Sequence, residues 1–239
     1  MRQQVKSKDS RRNRRILDNS TLLDVVQDPH TEIPPLQPLN DAQRKYLNSI
    51  KSNTITFGIG VAGSGKSYCA AGFAADQLRE RKIDKILLTR PAVEAGEKLG
   101  FLPGLLSEKL EPYLAPFMEI FYERLGKSQT EYLVKHGRIE AAPLSFMRGR
   151  SFKNCIAICD ESQNLSRNQM LMFLTRIGQN CKVIIDGDPQ QTDIPGTSGL
   201  LDAVHRLKGV PSIGVVYFTA DDIVRSGIIK DILLRYQQD

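Results

Sequence analysis

The 239-residue chain has no tryptophan, three histidines and four cysteines. His30, His136 and His205 are far apart, and no two of Cys69, Cys155, Cys159 and Cys181 form C-x-x-C. That argues against a zinc module or a disulfide framework. Cys155 and Cys159 fall inside an apolar run, where cysteine serves as a small hydrophobe. No apolar stretch approaches the roughly 20 residues of a membrane-spanning helix. The N-terminus is polar and basic and lacks the apolar segment of a secretory leader. These absences lead to the expectation of a cytoplasmic protein in a reducing compartment, with no membrane partner. Internal repeats and low-complexity tracts are missing too.

What is present fits one α/β domain with appendages. Hydrophobic content is 41%, enough for a sizeable core. Charge is unevenly spread. Residues 1–15 hold seven basic side chains against Asp9 alone, which accounts for the whole formal net charge of +6. Such a tail either lies along nucleic-acid phosphates or is simply a solvated segment. Residues 28–39, "DPHTEIPPLQPL", contain four prolines and read as an extended linker. The expected organisation is a partly disordered basic tail and linker over 1–39 and a folded domain over 40–239.

Within that domain, buried strands alternate with helices. "NDAQRKYLNSI" opens with a cap-type residue and carries Gln43 three positions later, a helix start. "NTITFGIG" reads as a buried strand, "KSYCAAGFAADQLRERK" as a helix and "DKILLT" as a second strand. Residues 92–138 read as a helical insertion broken by Pro103, Pro112 and Pro116. "IEAAPLSFM" suggests a short strand, "CIAICDE" a fully buried one, and "SRNQMLMFLTRIG" a helix with a Ser166–Gln169 capping box, ended by Gly178. "CKVIIDGD", "SGLLDAVHRL", "IGVVYF" and "DDIVRSGIIKDILLRY" complete a strand–helix–strand–helix series. The alternation implies a doubly wound, mostly parallel sheet.

The stretch "FGIGVAGSGKSY" matches two phosphate-binding patterns. Gly58, Gly60 and Gly63 spell G-x-G-x-x-G; Gly60, Gly65, Lys66 and Ser67 spell the P-loop G-x-x-x-x-G-K-[ST]. A dinucleotide site needs an acid at the end of the second strand, and that strand ends in Thr89 and Arg90. A P-loop needs an acid at the end of another buried strand to help hold Mg²⁺, and "CIAICDE" supplies Asp160, then Glu161. The P-loop reading is therefore favoured. It predicts ATP cradled by Gly60, Ala62, Gly63, Ser64, Gly65, Lys66, Ser67 and Tyr68. Lys66 would reach the β- and γ-oxygens, Ser67 and Asp160 would hold Mg²⁺, and Glu161 would orient or deprotonate the attacking water.

Seven segments together carry a resemblance: "LNDAQRKYLNSI", "FGIGVAGSGKSY", "LLTRPAVEAGEKLGFLPG", "APLSFMRGR", "CDESQNLS", "FLTRIG" and "IDGDPQQTDIP". They resemble the PhoH-like ATPases, a family similar to the first RecA-like domain of superfamily-one helicases, in the compact ATPase-only form found in phages. The resemblance implies further roles. Gln43 matches the glutamine that reads adenine, although the same residue suits a helix-cap position. Gln191, with Asp188, would sense the γ-phosphate, and Gln163 would link the water site to that motif. Thr89, Arg90, Lys98 and Phe101 correspond to a segment touching single-stranded nucleic acid, and Arg148 and Arg150 add cations near aromatics. A two-domain helicase draws arginines from its second domain. A single domain would take one from a neighbour, so a homo-oligomer, a hexamer, is expected, with Arg225 and Arg176 as candidates. The implied activity is ATP hydrolysis driving movement on single-stranded RNA or DNA. A small-molecule phosphotransferase and a nucleotide-switched binding protein with little turnover are the alternatives.

Overall fold

The computed structural model describes residues 33–91, 106–224 and 235, and of 106–113 the backbone only. Helix α1 (Asp41–Ser52) starts where Asn40 Oδ1 accepts the backbone N–H of Gln43 at 2.8 Å. Strand β1 (Ile55–Gly60) leads through the glycine-rich loop into α2 (Lys66–Arg79), and β2 (Lys85–Thr89) follows. After α3 (Leu106–Leu125) and α4 (Lys127–Lys135) come β3 (Ile139–Ala141), β4 (Cys155–Cys159), α5 (Arg167–Leu174), β5 (Cys181–Gly187), α6 (Gly199–Leu207) and β6 (Ile213–Phe218).

The six strands form one sheet in the order β3-β2-β4-β5-β1-β6, and every pair is parallel. This is a doubly wound, all-parallel α/β sheet. One strand, β5, separates the loop-bearing β1 from the acid-bearing β4. A parallel sheet requires cover on both faces, which is why β4 is buried at all five positions. Alternate strand residues Phe57, Ile59, Leu87, Ala157, Val183 and Ile185 share one core with Met170 and Phe173 of α5 and Leu200 and Val204 of α6. Helix α2, buried along Ala70, Ala71, Ala74 and Leu78, packs over β2, β4 and β5.

Two sequence expectations change. Helix α3 runs unbroken through Pro112 and Pro116. Each proline costs a helix interior roughly 3 kcal/mol. Burial of Phe117, Phe121 and Leu125, at about 1.5–3 kcal/mol each, offsets that cost. The helix is also pinned by Arg124. Its Nη2 lies 2.7 Å from both carboxylate oxygens of Asp76 on α2, and Nη1 donates to Pro34 O at 2.7 Å. The second change concerns α5. It keeps the Ser166–Gln169 capping box but ends at Leu174, not Gly178. Phe152 N donates to Arg176 O at 2.8 Å and Gly178 N to Phe152 O at 2.9 Å, which draws residues 176–178 into an extended bridge. Pro103 and most of the closing segment lie outside the described residues.

The Arg124 side chain is 2% exposed and that of Asp76 15%. Deleting one partner of so buried a pair leaves the other uncompensated. Arg124→Ala should therefore lose about 3 kcal/mol, a fall in Tm of roughly 6–12 °C for a domain of this size. Arg206→Ala, which breaks an exposed pair with Asp202, should lose less than about 1 kcal/mol. Equal thermal unfolding curves for the two variants would contradict this account of α3.

Candidate nucleotide site

The loop between β1 and α2 is shaped by its own lysine. Lys66 is 8% exposed, and its Nζ donates to Gly60 O and Val61 O, both at 2.7 Å, and to Ser64 Oγ at 3.2 Å. An ammonium group held this way draws the loop into a ring of backbone around the first turn of α2. Gly65 caps that helix with φ of 82°, a left-handed conformation that costs glycine almost nothing. Burial pushes the lysine below its ordinary pKa, while Asp186, Asp188, Asp160 and Glu161 pull it back up.

The strand order then brings the distant acids to the loop. Asp160 follows β4, and Ser67 Oγ donates to its Oδ1 at 3.2 Å. A hydroxyl beside a carboxylate is an oxygen donor set that suits Mg²⁺. Among the described residues no separate cluster of three or more His, Cys, Asp or Glu side chains forms a metal centre. Burial raises the Asp160 carboxyl above its usual range, with Arg90 opposing and Glu161 reinforcing the shift. Glu161 has φ of 51°, a left-handed backbone costing about 1–2 kcal/mol outside glycine. That turn aims its carboxylate into the cleft. Gln163 Nε2 donates to Glu161 Oε2 at 2.7 Å, and Gln163 Oε1 accepts from Asp188 N at 3.1 Å. Asp188 Oδ2 in turn accepts from Gln191 Nε2 at 2.9 Å and from Ala62 N at 3.1 Å. Lys66, Ser67, Asp160, Glu161 and Gln191 thus line one cavity of about 360 Å³, with Tyr68 and Pro116 on its wall.

Several predicted residues sit elsewhere. Gln43 is buried against the loop, donating to Ser64 O at 2.9 Å and accepting from Leu39 N at 2.8 Å. Its amide supports the P-loop from behind, and both ends are engaged within the protein. Thr89 is 2% exposed, because β2 continues pairing with β4 through Thr89 and Cys159, so it does not reach a strand on the surface. Arg90 points into the cleft: its Nη2 lies 2.9 Å from Glu161 Oε1 and 3.7 Å from Asp160 Oδ2. Arg150 is spent on Glu140, at 2.7 and 3.1 Å, which also takes Lys85. Arg148 is exposed. Arg176 lies beyond the N-terminal end of β4, at the opposite end of the sheet from the loop, so it cannot serve its own chain's cleft. Lys98, Phe101 and Arg225 lie outside the described residues.

Asp186 was not anticipated. It is fully buried on β5, accepts a hydrogen bond from Tyr46 Oη, and has Oδ2 without a partner. It also resolves the double glycine pattern. A Cβ on Gly58 would strike Asp186 and come 2.9 Å from the Tyr46 ring. Gly58 therefore makes room for this buried pair, and a dinucleotide fingerprint is not needed to explain it.

The parallel sheet, the loop at the end of β1 and the acids at the end of β4 define a P-loop nucleotide-binding domain. A family model described as PhoH-like protein matches residues 35–237, and the chain belongs to that family. It is 46% identical over 198 residues to a PhoH-like protein of Bacillus subtilis, covering 82% of this chain and 62% of that one. It is 44% identical over 203 residues to a PhoH-like protein of Mycobacterium tuberculosis, covering 84% and 58%. The chain thus spans about three-fifths of the length of these relatives. Among solved structures, it is similar to the large terminase of a thermophilic bacteriophage in complex with ADP, at 12% identity and a TM-score of 0.48, covering 84% of this chain and 50% of that one. Among the described residues no helix is long and apolar enough to cross a membrane.

Burial holds the Asp186 carboxyl at about 7 in the fold, against about 3.9 in an unfolded chain. A raised carboxyl costs nothing below pH 4, where both states are protonated. It then costs progressively more up to pH 7, to a plateau of roughly 4 kcal/mol. Asp186→Asn removes that cost. The Tm of the variant minus that of the parent should therefore rise between pH 4 and pH 7 and level off above. A difference that stays flat across this range would show that Asp186 does not titrate there.

Proposed function

We propose that the chain is a Mg²⁺-dependent ATPase that acts as a motor on single-stranded nucleic acid, RNA or DNA. The observation that carries the hydrolytic part is the approach of Ser67 to Asp160, beside Lys66 and Glu161, in one cleft. The backbone N–H groups of Gly63 to Ser67, at the N-terminus of α2, supply the donors and positive potential that a triphosphate needs. Lys66 exchanges its loop carbonyls for the β- and γ-oxygens. Ser67 and Asp160 would hold Mg²⁺, which when bound neutralises charge on those oxygens. Glu161 takes a proton from water as the water oxygen bonds to the γ-phosphorus. The bond to the β-phosphate oxygen breaks, and its electron pair leaves with ADP. Gln191, tied to the loop through Asp188, would respond to the γ-phosphate.

The nucleic-acid part draws on the helicase-like resemblance and on the exposed Phe146 beside the exposed Arg148, an aromatic and a cation of the kind that hold a single strand. The expected assembly is a homohexamer, which light scattering on the purified protein would report.

Glu161→Gln should bind ATP within a few-fold of the parent and lose about 10²–10⁴ in turnover. Phosphate release by the parent should rise when single-stranded RNA or DNA is added. A Glu161→Gln protein turning over like the parent would remove Glu161 as base. Phosphate appearing on an added acceptor in place of free phosphate would make the protein a phosphotransferase. A parent indifferent to every oligonucleotide would leave an ATPase without this substrate.

A further inference from the structure

Among the described residues, one arginine lines the nucleotide cavity, and it is Arg90. It sits at the C-terminal end of β2, next to β4 in the sheet, where Asp160 N donates to Thr89 O at 3.0 Å. The chain therefore delivers a guanidinium to the mouth of the cleft from the strand beside the one that delivers the acids. Its partners are Glu161 at 2.9 Å and, more distantly, Asp160 at 3.7 Å. The side chain is 30% exposed, and among the described residues it makes no other ion pair. Gln163 occupies the second Glu161 oxygen, so both carboxylate oxygens are engaged within the chain.

We propose that Arg90 is a catalytic residue that stabilises the γ-phosphate within its own chain, and that its ion pair with Glu161 is the resting partner it gives up to do so. The inference rests on the ATPase reading above and adds to it the cationic group that was sought on a neighbouring subunit. Electrostatics drive the exchange. A triphosphate brings several negative charges into a cavity that already holds Asp160, Asp188 and Glu161 on its lining. Ser67 and Asp160 would hold a divalent cation, whose charge would disfavour the guanidinium beside Asp160. The γ-phosphate, richest in charge as the bond to ADP lengthens, attracts it. Arg90 moving from Glu161 to phosphate accomplishes two things at once: a planar, permanently charged donor faces the developing charge, and one Glu161 oxygen becomes free for water. No arginine from a second copy is then needed for the chemical step, whatever the assembly.

Steady-state hydrolysis by Arg90→Ala should fall about 10³-fold in kcat, the low end of what an arginine at a transferring phosphoryl group contributes. Its affinity for a fluorescent non-hydrolysable ATP analogue should stay within a few-fold of the parent. Arg90→Lys, which keeps a charge but not the planar fork, should fall between the two. Trapping of ADP with aluminium fluoride, which reads transition-state stabilisation and not folding, should be lost in Arg90→Ala. Mixing Arg90→Ala with Lys66→Ala should give no recovery of activity. Recovery on mixing would overturn the proposal by placing the arginine in a neighbour's site. A kcat equal to or above that of the parent would overturn it by making the ion pair a restraint only. Failure of the underlying reading looks different: a parent that releases no phosphate from ATP means the ATPase assignment has failed, and hydrolysis that survives Glu161→Gln removes Glu161 as its base. Normal hydrolysis in Arg90→Ala beside a dead Glu161→Gln means only the role of Arg90 has failed.

Discussion

The hydrogen bond from Ser67 to Asp160 is the constraint on which the site depends. It joins the first turn of α2 to the end of β4, two pieces of chain 93 residues apart. They meet because β5 is the only strand between β1 and β4 and because all strands run the same way. Parallel strands place every C-terminal end on one edge of the sheet, and in open α/β sheets ligands bind along that edge. The register of β4 with β2 and β5 fixes how far Asp160 extends past its neighbours. The left-handed turn at Glu161 then decides which way the second acid faces. A slip in strand pairing would move both acids relative to the loop, so the apolar packing of the sheet and the chemistry of the cleft are one requirement.

Around that contact the charged groups find partners within the chain. Lys66 is satisfied by Gly60, Val61 and Ser64; Glu161 by Arg90 and Gln163; Asp188 by Gln191, Ala62 and Gln190. Asp186 is the exception, with one oxygen unpartnered beneath the loop. Burial favours the protonated acid, while the hydrogen bond from Tyr46 and the nearby Lys66 favour the anion. A carboxyl poised between these influences places an adjustable charge near Lys66, the lysine proposed to hold the phosphates. Gly58 is the sequence feature that makes this geometry possible, since any side chain there would occupy the space of the pair.

Much of the fold was legible in the sequence, and so was the heart of the site, because both are written in local patterns. The P-loop is eight consecutive residues, and Asp160–Glu161 directly follow a five-residue apolar strand. Each could be read without knowing where the other lay. The capping box at Ser166 was legible for the same reason. Contacts that depend on which strands become neighbours were not. The Arg90–Glu161 pair spans 71 residues and the Tyr46–Asp186 pair 140. Nothing in "LLTRP" says that Thr89 is still inside the sheet while Arg90, one residue on, turns into the cleft. Arg150 looked available for a nucleic acid because its partner Glu140 lies on an edge strand whose position the sequence leaves open. Helix α3 defeated a rule that is correct locally. Proline does break hydrogen bonds, but apolar burial and the Arg124–Asp76 pair act on the whole helix and outweigh two local losses.

The self-satisfied cleft also bears on how nucleotide energy is transmitted. A ligand entering a site of unpaired charges would mainly relieve strain already present, and the surrounding protein would have little reason to respond. On the proposed reading each phosphate contact would replace an internal one: Lys66 would leave loop carbonyls and Arg90 a carboxylate. The released partners are attached to different elements. The carbonyls belong to the end of β1 and its loop; Glu161 connects through Gln163 to Asp188 and Gln191 beyond β5. Binding and cleavage of a γ-phosphate there would change which of these elements are tied together, with the buried sheet as a frame. A phosphate-dependent choice between two sets of hydrogen bonds is a discrete two-state element of the kind that coupling between sites requires.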